Sequence, residues 1–136
     1  MVTADELMIG NYLRFKTKHG NIDILVHYFD NIFVYVVPND DDDKLGRFMI
    51  SDLCGVPLSQ EILYNMLFDK IIIHKNGEEY IQWVDPNTLF TFEIKESTKE
   101  LGYYYITNDG NTTYFNSVHT LQNLYFAIIG QKISIW

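Results

Sequence analysis

The sequence predicts an α+β fold: an N-terminal small antiparallel β-barrel-like meander, a linking helix, then a second antiparallel sheet packed by a C-terminal helix. Three observations carry this. Strand-like runs recur at short intervals with turn residues between them, and short turns force neighbouring strands antiparallel. Two stretches, 59–68 and 117–129, carry apolar side chains at helical spacing. The chain of 136 residues is 47% hydrophobic and 21% charged, enough to bury one core without disulfides.

The meander spans about 6–53. YLRF (12–15) leads through a Gly20-Asn21 turn to IDILVHYF (22–29), and Asp30-Asn31 separates that run from IFVYVVP (32–38). Pro38 ends the third strand because it has no N–H for a ladder. In PNDDDDKLG (38–46) the four adjacent carboxylates, Asp40 to Asp43, repel one another and call for a solvated loop. RFMISDL (47–53) reads as a fourth strand.

A linking helix over 59–68 follows. Ser59 sits at the N-cap, Gln60 and Glu61 suit the first turn, and Ile62, Leu63, Met66 and Leu67 recur on one face. The second sheet, 70–116, is read from KIIIHK (70–75), the Asn76-Gly77 turn, EYIQWV (79–84), LFTFEIKE (89–96), YYYIT (103–107), Asp109-Gly110 and TTYFN (112–116). LFTFEIKE alternates, with Phe90, Phe92 and Ile94 on one face and Thr91, Glu93 and Lys95 on a wet one. Asn116 or Ser117 caps the last helix, 117–129, whose Leu121, Leu124, Tyr125 and Ile128 form a stripe widened by Phe126 and Ile129. Gly130 supplies the residue past its end, and 131–136 alternates as a terminal strand. The whole, 1–136, is expected to form a single compact domain.

Charge narrows the partners. A net charge of −8 opposes phosphate backbones, so no nucleic-acid partner is expected. No apolar run reaches the roughly 18 residues that cross a bilayer, and MVTADELMIG lacks a signal peptide's basic and apolar regions. One cysteine, Cys54, suits a reducing compartment. A cytoplasmic or virion-associated protein without membrane contact is the expectation.

Chemistry-bearing motifs are sparse. His19, His27, His74 and His119 show no zinc-ligand spacing, and Cys54 has no CxxC partner. The Asp40–Asp43 run lacks the alternate ligands, glycine and distal glutamate of an EF-hand. No nucleophile elbow, Walker loop, dinucleotide fingerprint or HExxH occurs. No catalytic residue, metal or cofactor is therefore assigned, and an enzyme is not the favoured class. The interaction candidates are His119, near a helix N-terminus, with Gln122 and Asn123 beside it; a structural amide and imidazole cluster is the competing reading.

ELMIGNYL (6–13), VPLSQEILYNMLF (56–68) and HTLQNLYFAIIGQKISI (119–135) resemble, in the same order, segments of a group of uncharacterised small proteins from Bacteroidetes genomes, their phages and mobile elements. Those segments read approximately ELRIGN, PLTEEWLLKFGF and HQLQNLYFALTGEEL. Here MLFDK replaces the KFGF ending, so a different exit from the first helix is expected. The resemblance transfers no residue roles. The favoured reading is a phage or mobile-element accessory protein that binds another protein, or itself, as a virion component or an inhibitor of a host factor; it rests on the absence of catalytic motifs and on YYYIT (103–107), which places rings on both faces of its strand. The alternatives are a small-molecule-binding or hydrolytic domain with a pocket near His119, and a small-barrel nucleic-acid module in the first half.

Overall fold

The computed structural model describes residues 2–36, 46–107 and 109–133. The fold is α+β, with three antiparallel sheets of three, five and three strands and a C-terminal helix. By their internal contacts the described residues divide into two compact units: those up to Pro57 together with 117–133, and Leu58–Asn116.

In the first unit, β1 (Tyr12–Thr17) lies between β2 (Gly20–Leu25) and β6 (Leu53–Gly55), while β4 (Phe33–Val36) lies between β3 (Tyr28–Phe29) and β5 (Gly46–Met49). The barrel-like meander is thus two three-stranded sheets, not a closed barrel. Two runs that read as single strands each bend to serve both sheets. IDILVHYF breaks at Val26 and His27: the Val26 N–H donates to the Asn11 carbonyl, whereas the His27 N–H donates to Tyr35 of β4. RFMISDL breaks at a 3₁₀ turn, Ile50–Asp52, where buried Ile50 bonds back to Ile32 and the chain then crosses to pair with β1. Strands that switch sheets through bends are how sheet corners are made. Leu13, Val26, Val34 and Leu53 are almost wholly buried in the resulting core, each contributing about 1.5–3 kcal/mol. Two turns shift from their expected places: β1 turns at Lys18 and His19, and Asp30 closes its turn by accepting from the Ile32 and Phe33 N–H groups.

Helix α2 (Val118–Ile129) ends on Gly130 at φ 81, the left-handed position expected of it. Its contacts with β1 and β6 place it in the first unit, where the sequence reading assigned it to the second sheet. Its buried residues are Val118, His119, Leu121, Gln122 and Tyr125, while Phe126 and Ile128 are exposed. The stripe is therefore rotated from the apolar one, because Gln122 is drawn inward by hydrogen bonds that only the tertiary structure supplies. Residues 131–133 carry no strand, and the rest of the expected terminal strand, like the Asp40–Asp43 run, lies outside the described residues.

The second unit opens with α1 (Gln60–Asn65), shorter than 59–68. Ser59 Oγ caps it by accepting from the Ile62 N–H at 3.2 Å. It stops because the Leu67 N–H donates to Tyr64 and the Phe68 N–H to Leu63, with Leu67 at φ 68. The five-stranded sheet follows in the order β11 (Thr112–Phe115), β10 (Tyr103–Ile106), β9 (Thr91–Lys95), β8 (Glu78–Val84) and β7 (Asp69–Lys75). Asn76 and Gly77 turn at φ 55 and 75, as an Asn-Gly hairpin requires. One sheet face carries Trp83, Phe92 and Tyr103. Tyr64 and Phe68 pack edge-on against Trp83 and Phe92 at 5.2 and 5.1 Å. A 3₁₀ stretch, Glu96–Leu101, joins β9 to β10 where the sequence reading placed no element.

Candidate functional site

The three candidate residues sit on one buried side of α2, and two of them close a network of amides. Gly10, at φ 94, allows the chain to turn so that the Asn11 N–H meets the Met8 carbonyl and the Met8 N–H meets Asn11 Oδ1 at 2.6 Å. Asn11, 1% exposed, then points Nδ2 at α2, donating to Asn123 Oδ1 at 2.8 Å and to Gln122 Oε1 at 3.4 Å. Gln122 Oε1 also accepts from the Tyr12 N–H at 2.9 Å, and its Nε2 donates to the carbonyls of Gly10 and Ile133 at 3.0 and 3.1 Å. Asn123 Nδ2 donates to the Glu6 carbonyl at 2.5 Å.

Each of these amides uses its oxygen and its nitrogen within the protein. Such a cluster rigidifies, since each amide nitrogen has an acceptor and each amide oxygen a donor in a low-dielectric setting. The cleft beside it, lined by Met8, Gly10, Asn11, Gln122 and Ile133 among others, is about 50 Å³. That is room for a water or two, well below the roughly 300 Å³ at which small-molecule sites begin.

His119 is 4% exposed and stands apart from the amides. Neither ring nitrogen has a hydrogen-bond partner among the described residues. Nε2 lies 3.8 Å from Glu6 Oε1, which already accepts from the Thr3 N–H at 2.9 Å. Burial holds the His119 pKa below the ordinary imidazole value, and the Glu6 carboxylate opposes this without overcoming it. The ring is neutral at physiological pH. It packs so closely on β6 that a Cβ built on Gly55 would lie 2.9 Å from His119 Cε1. The other histidines, His19, His27 and His74, are exposed, and Cys54 is half-buried with its thiol 3.6 Å from the Arg14 carbonyl.

The sequence reading did not single out Glu6, Gly10, Asn11 or Gly55. The first three lie inside ELMIGNYL, so the signal was present as a string. Nothing local says that an asparagine after a glycine meets a helix more than a hundred residues on.

A second polar cluster lies on the five-stranded sheet. Register sets Gln82 opposite Glu93 and Glu93 opposite Tyr104. Gln82 Nε2 donates to Glu93 Oε1 at 2.6 Å, and Tyr104 Oη donates to Oε2 at 2.7 Å. Burial and this bond to Glu93 raise the Tyr104 pKa strongly. Around the chain of three stand Tyr80 and Tyr114, with Ile71 and Ile106 exposed beside them. YYYIT does place rings on both sheet faces: Tyr103 packs on Phe92 and Tyr105 stacks on Phe90, while Tyr104 joins Tyr114 on the other.

No family model, curated protein or solved structure matches the chain. No helix among the described residues is long and apolar enough to cross a membrane.

Proposed function

We propose that the protein works by binding another protein, as an accessory protein of the phage or mobile-element kind that its sequence resembles, either a virion component or an inhibitor of a host factor. The observation that carries this is the sheet face bearing Tyr80, Tyr104, Tyr114, Ile71 and Ile106. Tyr64 and Phe68 pack on the opposite face, and Tyr114 and Ile106 stay exposed at 42% and 54%. Tyr104, buried and held by Glu93, backs the exposed Tyr114 ring at 5.8 Å, and protein interfaces favour tyrosine. On this reading nucleic acid is not a partner, given the net charge of −8. A hydrolytic or small-molecule role near His119 has weaker support, because that ring is buried away from the small cleft beside Gln122.

The test is affinity capture from the native host with the wild type and with a Tyr114→Ala/Ile106→Asp variant, then reconstitution with the purified partner. A partner that binds the wild type and loses about tenfold or more in affinity for the variant supports the reading. Equal binding to both proteins would overturn this face as the docking site.

A further inference from the structure

The outer edge of β7 carries no strand partner among the described residues. β7 is the end strand of its sheet and runs seven residues, Asp69–Lys75, in unbroken register with β8. No other backbone bond engages these residues among those described. Ile71 and Ile72 stand on opposite faces and are 45% and 52% exposed. Free edges of this length are ordinarily blunted by a bulge, a proline or an outward lysine. β7 has no bulge or proline, and Lys70 is drawn back to α1, its Nζ donating to Gln60 Oε1 at 2.8 Å.

We propose that two chains associate through antiparallel β7–β7 pairing about a two-fold axis at Ile72, joining two five-stranded sheets into one of ten. The sequence DKIIIHK selects this register. A two-fold axis normal to the sheet keeps the faces matched, so opposed residues must have the same parity. Centred on Ile72, each Asp69 meets the partner copy's lysine at position 75, Lys70 meets histidine 74, Ile71 meets isoleucine 73, and the two copies of Ile72 meet each other. Opposite charges pair at both ends, the two basic side chains face each other, and isoleucine meets only isoleucine. Centring on Ile71 sets Lys70 against isoleucine 72, and centring on Ile73 sets Lys75 against isoleucine 71; each places a charge on the apolar stripe. This contact uses the strand edge rather than the tyrosine face, so it stands or falls independently of heterologous binding.

The experiment is sedimentation equilibrium or light scattering of the full chain from micromolar to sub-millimolar concentration. The wild type should approach twice 16.0 kDa. Asp69→Lys and Lys75→Asp should each weaken the dimer by about tenfold or more, and the double exchange should restore it. Ile72→Lys, a change at a half-exposed site, should give a folded monomer by circular dichroism. A wild type that stays monomeric throughout, or a dimer that survives Ile72→Lys and shows no rescue by the double exchange, overturns the pairing.

Discussion

Replacing Gln122 tests whether the amide cluster holds the first unit together. Gln122→Ala removes a side chain that is 3% exposed and leaves the Tyr12 N–H without its acceptor. The carbonyls of Gly10 and Ile133 lose a donor as well, but both residues reach solvent and can turn to water. One orphaned donor costs about 1–3 kcal/mol and the one lost methylene about 0.8 kcal/mol, so a loss of about 2–4 kcal/mol is expected. The isosteric Gln122→Glu separates hydrogen bonding from packing. Its carboxylate can still accept from Tyr12, yet its second oxygen faces two carbonyls and its charge is buried. The folded-state carboxyl pKa is then raised above the unfolded value, so the folded chain binds the extra proton and the variant gains stability as pH falls. The deficit relative to wild type should be largest at neutral pH and shrink toward about pH 4–5. Urea unfolding with an unchanged slope measures both variants. An alanine variant within about 0.5 kcal/mol of wild type, or a glutamate deficit that ignores pH, would refute the reasoning.

Three further outcomes follow from single contacts. Leu67→Gly should stabilise the chain by about 0.5–1 kcal/mol, because a left-handed leucine that is 67% exposed is relieved of its Cβ penalty and loses little burial; a lower thermal midpoint would count against it. Gly55→Ala should destabilise by about 1–3 kcal/mol, since the new Cβ would lie 2.7 Å from Ser117 Cβ as well as against His119, and an unchanged midpoint would mean β6 can shift freely. For His119 the folded-state pKa is lowered, so the unfolded chain takes up the proton first: its contribution is intact above about pH 6.5 and declines as pH falls through the window beneath. His119→Leu should flatten that part of the stability profile, and a profile left unchanged would show that the acid sensitivity arises elsewhere.

Much of the fold is legible because it is written locally. Asn76-Gly77 dictates its hairpin, Ser59 caps α1, Gly130 ends α2, and LFTFEIKE alternates as its side chains do in the sheet. The misplacements share one cause: tertiary contacts decide them. Val26 and Ile50 sit inside runs with no local breaker, and both strands end there because their next backbone partners belong to another sheet. The early stop of α1 is subtler. Leu67 takes the left-handed position at φ 68 without the glycine that ordinarily marks such an exit, so no letter announces it.

The candidate site was legible as letters but not as chemistry. His119, Gln122 and Asn123 stand out because polar side chains interrupt an apolar helix, and an interruption has two physical readings: a group presented to a ligand, or a group satisfied inside. Choosing between them requires the partners. For Gln122 and Asn123 those partners are Glu6, Gly10, Asn11 and Tyr12, at the far end of the chain, so no window of sequence contains the answer. The same contacts tie ELMIGNYL to HTLQNLYF, since Asn11 and the amides of α2 satisfy each other, and the Val56 carbonyl accepts the Val118 N–H at the start of the same helix. These amides are satisfied inside the fold and hold a helix in place. Binding is therefore to be sought on the tyrosine face and the isoleucine edge of the five-stranded sheet, and variants there should change association while leaving the urea midpoint, measured at concentrations where the chain is monomeric, where it was.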